Sequence, residues 1–485
     1  MATIDQLMEE RRKKLQALRD AGINPYPYAF NATHQAGRIL EQFDELCSTV
    51  GSLRVAGRLV SLRRMGKIGF AHLQDSTGKV QLFFQVDTLG KGYALLQHLD
   101  VGDFIGVEGT AFRTKTGEAT LLVKSLELLS KALRPLPEKW HGLKNTETRY
   151  RQRYLDLVMN PEVREVFRLR SGLISKMRAF LDASGFLEVE TPTLQPIYGG
   201  ANAKPFLTHH NALDAKLYLR ISNELYLKRL IVGGFDRVYE FVKDFRNEGV
   251  DRTHNPEFSM MECYAAYWDY SDMMRLTEEM MSTAARELRG GTKLSFQGTS
   301  IDLKPPWPRL SMMEAIRKHL KLDAAKLTDK ELIAEIERRK LECHDRRRGM
   351  LIATLFEAVE PLLMGPVFIT DFPRETTPLA KPHRKDPALV ERFEPYIAGW
   401  EVGNAYSELN DPELQRRLLE EQAKALRAGD EESHPMDEDF CQALEYGMPP
   451  TGGLGLGIDR WVMLFTDQPS IRDVILFPTL RPKED

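Results

Sequence analysis

Two arginines sit where the backbone lets a ligand come close. Arg246 opens Arg246-Asn247-Glu248-Gly249, which is followed by a short loop and His254-Asn255-Pro256-Glu257-Phe258. Arg460 closes Gly452-Gly453-Leu454-Gly455-Leu456-Gly457-Ile458-Asp459-Arg460. Guanidinium binds phosphate through two parallel hydrogen bonds and keeps its charge. Two of them, a carboxylate and an aromatic ring suit a bent nucleoside triphosphate. In such a site one arginine holds the reacting phosphate and the other the leaving pyrophosphate. Phe258 stacks adenine, Glu248 accepts from its exocyclic amine, and His254 donates to a phosphate. The chemistry this implies is nucleotidyl transfer, driven by positioning and by electrostatic stabilisation of charge at the α-phosphate. A single Arg-Asn-Glu-Gly tetrapeptide reads more readily as surface ion pairing, so the weight rests on the ordered set.

The glycine run has the spacing GxGxG rather than GxGxxG, and no βαβ unit with a distal acid follows it. That argues against a dinucleotide fingerprint and for a strand whose backbone a ligand approaches, leading into a buried helix at 458–465. Glu394 and Glu401 are seven residues apart and bracket a proline and a glycine, which suggests strands and a bend. Carboxylates beside a triphosphate bind magnesium through oxygen; taken alone, the same pair reads as solvated glutamates.

The elements that must position these groups fall into blocks. Residues 1–50 form an N-terminal helical extension opening with a charged helix that ends at Gly22 and Asn24-Pro25. Its Arg11-Arg12-Lys13-Lys14 run is either a phosphate contact or a solvated face. Residues 51–133 show short strands and turns: 53–62, 67–74, 79–86, a helix at 90–99, then 104–112 and 119–129. Three strands, a helix and two strands is the order of a five-stranded OB barrel. Val80, Leu82, Phe84 and Val86 alternate onto an interior face, leaving Gln81, Phe83 and Gln85 on the other. With Phe70 and His72, beside Arg63 and Arg64, that outer face suits unstacked bases; packing against a neighbouring domain is the alternative. Residues 134–150 form a linker with a stiff Arg134-Pro135-Leu136-Pro137 start. Residues 151–485 form the larger domain, whose first helix is signalled by Asn160 as N-cap, Pro161, Glu162 and a stop at Gly185. A strand from Gly185 to Pro192 follows, its proline suited to a sheet edge or a subunit contact.

A length of 485 residues allows two or three domains, and the net charge of −3 means that any nucleic-acid contact must come from local patches. Cys47, Cys263, Cys343 and Cys441 are not at metal-ligand spacing, which argues against structural zinc and for a reducing compartment. The first residues lack an apolar signal core, and the most apolar stretch, 351–370, is broken by glutamates and prolines. The expectation is a cytoplasmic enzyme with no membrane association.

The chain resembles the class II aminoacyl-tRNA synthetases, and within them the bacterial-type lysyl family. Residues 186–192 resemble the first class motif, 245–262 the second and 452–460 the third. The stretches 205–214, 224–230 and 403–411 resemble lysyl-specific segments, and the likeness runs from the N-terminal helix to Arg481. The resemblance implies an α+β architecture: the OB barrel as anticodon-binding domain, and an antiparallel catalytic sheet flanked by helices. It implies a homodimer built partly on the first motif, with ATP, L-lysine and tRNA(Lys) as partners and Mg2+ as cofactor. Arg246, Glu248, His254, Asn255, Phe258, Glu401 and Arg460 fall at the ATP positions, Arg246 and Arg460 being catalytic. Gly200, Glu224, Glu262, Tyr264, Asn404, Tyr406 and Glu408 fall at the lysine positions, Glu394 and Glu401 at the metal positions. Phe70 and Gln81 fall where the central anticodon base is stacked and read. Two positions depart from the pattern: Thr253, where some bacterial members carry arginine, and Tyr406, where others carry phenylalanine.

The residue chemistry agrees with that assignment. A desolvated ammonium must be paired and hydrogen-bonded, or its burial costs several kcal/mol. One of the pocket carboxylates pairs the side-chain ammonium and another the α-amino group. Tyrosine walls fit the methylene stem and add cation–π attraction. A substrate without the distal charge leaves a buried carboxylate unpaired and is rejected by roughly 10⁴ or more without editing. An aspartyl- or asparaginyl-type enzyme would share the motifs but need a basic pocket. An inactive, tRNA-binding relative would be expected to have lost Arg246, Arg460 or the glutamates, and all are present.

Overall fold

A computed structural model describes residues 3–48, 51–137, 143–427 and 434–482. The chain divides into two compact units, Met1–Gly142 and Leu143–Asp485. In the first, strands β1 (Leu53–Met65), β2 (Ile68–Gln74), β3 (Lys79–Gln85), β4 (Phe104–Arg113) and β5 (Ala119–Ser130) close into a barrel in the order β1-β2-β3-β5-β4. The sequence alternation fixes the inside. Val80, Leu82 and Phe84 are fully buried, and Val55, Leu59, Leu73, Ile105, Leu121 and Val123 meet them. Val86 is not on β3; it begins a short helix, Val86–Leu89, which a 3₁₀ segment, Gly90–Gln97, continues.

The helix Ile4–Asp20 is opened by a capping box between Thr3 and Gln6. Its basic run serves neither of the two expected purposes throughout. Arg11 is buried and donates to the carbonyls of Ala132 (2.9 Å) and Val101 (3.0 Å), and Lys14 pairs with Asp100 at 2.5 Å. Only Arg12 and Lys13 lie on an exposed face, beside Glu9 and Glu10. Half of the run therefore ties the helix to the barrel rather than facing phosphate or water.

The second unit is built on a nine-stranded sheet. Its order is Arg309–Ser311, Val367–Pro373, Leu389–Ile397, Gly403–Ser407, Thr451–Gly457, Glu257–Ala266, Arg237–Phe245 and Leu187–Glu188, with Trp400–Glu401 paired to Leu389–Ile397. The middle of the sheet is antiparallel; both end pairs are parallel. The helices Glu162–Ala183, Tyr270–Arg289 and Ile458–Thr466 cover one face, burying Leu173, Met177, Met273, Met280, Trp461 and Phe465. The first of these helices begins one step later than expected. Pro161 takes the N-cap position, while the Asn160 carbonyl lies outside and accepts from the Val163 N–H. The strand expected over residues 185–192 is paired only at Leu187–Glu188, because Thr191 turns instead onto Glu240. Among the described residues no helix is long and apolar enough to cross a membrane.

Candidate active site

Four neighbouring strands form the floor of a cavity of about 390 Å³. Side chains on a strand face one side at every second position. Glu262 and Tyr264, Asn404 and Tyr406, Gly453 and Gly455, and Arg392 and Glu394 are spaced in that way. Register lines them up: Gly455 lies between Glu262 and Asn404, and Gly453 between Tyr264 and Tyr406. The glycines leave the room. A Cβ on Gly453 would overlap the Glu408 carboxylate and sit 2.5 Å from the Tyr264 ring. Every site residue expected on the larger domain lines this cavity.

At one end lie the two arginines. Arg246 is the first residue past the Arg237–Phe245 strand, so the pairing of Phe245 with Glu257 sets where its side chain begins. Its guanidinium lies over the Phe258 ring, 5.0 Å from the centroid, and its buried Nε has no partner among the described residues. Arg460 sits in the first turn of Ile458–Thr466. That helix is anchored by the Trp461 indole, which donates to Val402, and by Asp459, which accepts from the Ser259 N–H (2.7 Å) and Arg170 (2.6 Å). Arg460 itself donates to the Glu401 carbonyl at 2.5 Å and lies 3.3 Å from His254. The other nitrogen of His254 meets Asp251 at 2.8 Å. Partial burial works against ionising Asp251, but bonds from the His254 ring and from the Thr253 and His254 N–H groups pull its carboxyl down to about 2. Thr253 donates its hydroxyl to the same carboxylate. Asn255 lines the wall while bonding backbone at both ends, to the Glu257 carbonyl and from the Thr479 N–H.

At the other end is a closed acidic pocket. Glu224, Glu262 and Glu408 are each at most 5% exposed. Ser222 donates to Glu262 at 3.0 Å and Tyr264 at 3.1 Å, and no cation touches that carboxylate among the described residues. Burial, then the charges of Asp244 and Glu224, push the Glu262 carboxyl well above the ordinary range. Burial pushes Glu408 up to about 8, with Lys228 opposing and Glu224 adding to the rise. Gly200 borders the pocket at φ +89°, and a Cβ there would meet the Ser222 hydroxyl at 2.7 Å. The Tyr406 hydroxyl accepts from the Asn404 amide at 2.5 Å, so the extra oxygen at this position is used inside the wall.

Three further residues are not among the expected site residues: Arg392 and His434 line the cavity, and Lys228, within the 224–230 segment, contacts two of its acids. Lys228 is wholly buried and bonds Glu224 at 2.5 Å and Glu408. Arg392 pairs with Glu394, donates to Asn404 at 3.0 Å and lies over the Phe372 and Tyr406 rings. His434 meets Asn202 at 3.0 Å; burial and then the Lys228 charge hold its ring near a pKa of about 4, so it is neutral. Lys228 had a signal of another kind: a Glu and a Lys four apart share a helix face.

Glu394 and Glu401 are brought together by a hairpin. Ala398 and Gly399 take φ of 54° and 79°, the mirror-image turn suited to a two-residue connection, which sets Glu401 opposite Tyr396. Arg392 and the Tyr396 hydroxyl (2.8 Å) orient the Glu394 carboxylate. Both carboxylates line the cavity, and the donor set is all oxygen, as a hard divalent cation requires. Among the described residues no cluster of three or more acidic, His or Cys side chains is placed to hold an ion unaided. The pair therefore fits an ion completed by phosphate oxygens and water, the usual habit of Mg2+.

On the barrel, Phe70 pairs with Phe83 across β2 and β3, ring centroids 4.8 Å apart, and Phe112 extends the row. Gln81 is mostly buried, its amide oxygen accepting from Thr120 at 2.8 Å. With the amide so oriented, its N–H₂ has no hydrogen-bond partner among the described residues.

Comparison with known proteins gives one answer. The family described as tRNA synthetases class II (D, K and N) matches residues 145–481, and the OB-fold nucleic acid binding domain matches residues 53–129. The lysine–tRNA ligase of Moorella thermoacetica is 55% identical over 99% of this chain and 98% of its own. Those of Pelotomaculum thermopropionicum and Roseiflexus castenholzii are each 53% identical over 99% of this chain, and over 96% and 100% of their own. With three buried carboxylates at one end of the cavity and two guanidiniums at the other, the chain belongs to the class II tRNA synthetases and, among them, to the lysine–tRNA ligase family.

Proposed function

We propose that the chain activates L-lysine with ATP and transfers it to the 3′ end of tRNA(Lys). The observation that carries this reading is the juxtaposition in one cavity of the cation-free Glu262, with Glu408 behind Gly453, and the Arg246–Phe258 stack. Glu224, Glu262 and Glu408 receive the two ammonium groups of lysine, and Tyr264 and Tyr406 flank its methylene stem. Asn404 and Gly200 complete that pocket. Arg246 covers one face of Phe258, so the base takes the other. Glu248 accepts from the exocyclic amine, and Asn255 holds the loop that carries His254.

The lysine carboxylate attacks the α-phosphorus in line. A mixed anhydride forms, the α–β phosphoanhydride bond breaks, and pyrophosphate leaves. Arg246 meets the charge developing at the α-phosphate, and Arg460, with His254 beside it, steadies the leaving group. Glu394 and Glu401 would hold Mg2+, which would supply neutralisation of phosphate charge. In the second step a ribose hydroxyl at the tRNA end attacks the anhydride carbonyl, and AMP leaves. No protein nucleophile is required.

Phe70 stacks the central anticodon base and the free N–H₂ of Gln81 reads it. The exposed Leu187, Leu194 and Leu207 around the first class motif support a homodimer at that surface.

The deciding experiment is ATP–pyrophosphate exchange with each of the twenty amino acids and no tRNA. Exchange driven by lysine alone is expected. Exchange driven by aspartate or asparagine would overturn the pocket, and silence with all twenty would overturn the activity.

A further inference from the structure

We propose that Lys228 is a positioning residue of the amino-acid pocket. Its buried ammonium bridges Glu224 and Glu408 and favours the carboxylate form of both against their burial, so that the pocket, once its three acids are ionised, has two anions in excess for a ligand with two ammonium groups. The inference rests on the lysine-activation reading above.

The geometry is specific. Lys228 lies one helical turn beyond Glu224 on the helix Glu224–Val232 and is 0% exposed. Its Nζ is 2.5 Å from Glu224 and in direct contact with Glu408, which arrives from the far side of the pocket just past the Gly403–Ser407 strand. Neither oxygen of Glu408 accepts any other hydrogen bond among the described residues, although the side chain is 0% exposed. The carboxylate is thus held from one side and unfilled on the other.

Charge counting gives the consequence. Glu224, Glu262 and Glu408 carry three negative charges when ionised, and Lys228 one positive charge. The remainder equals the charge of the α- and ε-ammonium groups of lysine. Without Lys228, two buried carboxylates would face one another across the pocket, and one would take up a proton. A protonated acid cannot pair an ammonium. The other ionisable groups around this cluster are Asp244, Tyr264, Tyr406, Arg392 and His434; Asp244 opposes ionisation of Glu262, and burial, with the Lys228 charge second, keeps His434 neutral. Lys228 lowers the carboxyls of both Glu224 and Glu408 against the effect of burial.

The test is the pH profile of kcat/KM for lysine in pyrophosphate exchange, which reports ionisations of the free enzyme. Lys228→Met keeps the stem and removes the charge; Lys228→Arg keeps the charge. In K228M the acidic limb moves up by about one pH unit or more, as removal of an adjacent opposite charge requires. Its KM for lysine rises, and its KM for ATP does not. K228R keeps the parent limb. An unmoved limb in K228M, with or without a raised lysine KM, overturns the proposal, because the side chain would then only fill space. Should K228M fail to fold, K228R decides. A parent-like limb supports the charge, and a folded K228R with the limb displaced overturns it. A parent enzyme that exchanges with a different amino acid sinks the lysine reading itself, and is told apart by being seen before any variant is made.

Discussion

The acidic pocket is under electrostatic tension when empty, and this makes a prediction at the scale of single residues. In an unfolded chain Glu408 titrates near the ordinary glutamate value of 4.5; in the fold it is pushed up to about 8, and Glu262 shifts in the same direction. A carboxyl whose pKa is raised by folding stabilises the fold while protonated. That stability is complete below the unfolded value and is lost as pH rises through the folded one. The melting temperature of the ligand-free protein is therefore expected to fall by a few degrees as pH rises from about 6 to about 9. Saturating L-lysine should flatten the fall, because its ammonium groups bind the ionised acids. A melting temperature indifferent to pH in the absence of lysine would show that these carboxyls carry no such burden. At this scale the sequence is informative about the ligands and silent about their supports. Glu224 and Glu408 are legible as pocket acids, but nothing linear brings Lys228 to Glu408, since the contact joins a helix to a strand far along the chain. His434 is hidden for the same reason, and so are the contacts of Arg392 with Asn404 and the Tyr406 ring. Each acts by touching something that only the tertiary fold brings near.

At the scale of elements, the glycine strand Thr451–Gly457 is the piece on which the site depends most. The demand for glycine is sharpest at Gly453, over which Glu408 and Tyr264 reach; Met260 and Glu262 would stand 3.3 and 3.6 Å from a Cβ on Gly455, and Gly457 has open space. Gly453→Ala should lower kcat/KM for lysine by about 10²-fold or more, as expected for side chains displaced by about an ångström. The KM for ATP should stay within a few-fold. Parallel losses for both substrates in exchange assays would point to general disruption of the sheet instead. The period of two in Glu262/Tyr264, Asn404/Tyr406/Glu408 and Gly453/Gly455/Gly457 is written in the residue order itself, and so is the order of the barrel strands. Element ends are less so. Asn160 offers a good capping side chain, yet the helix starts after Pro161, whose fixed φ already suits a first turn. The segment from Gly185 to Pro192 has the pattern of a strand throughout, but the buried Glu240 draws Thr191 away from the ladder.

At the scale of the molecule, the two units separate two recognitions. On the proposed reading, activation uses only residues of the second and anticodon reading only the barrel. Phe70→Ala should then lower kcat/KM for tRNA by about tenfold or more, the worth of one stacked base. Lysine-dependent exchange, measured without tRNA, should keep its KM values; a change there would contradict the separation. The units also differ in how far apart their partner strands lie along the chain. The barrel closes within the stretch from Leu53 to Ser130, whereas the large sheet sets Glu257–Ala266 beside Thr451–Gly457. On a translating ribosome, which releases the chain from its N-terminus onward, the barrel has all its strands long before the large sheet has its middle. A nascent chain that has emerged as far as Pro450 carries Glu262 and Asn404 with nothing to lie between them. Premature termination after Ser130 and before the last strand is therefore expected to yield a product with a finished barrel and no place to make an adenylate: on the reading proposed above, a molecule able to occupy an anticodon and unable to charge the tRNA that bears it.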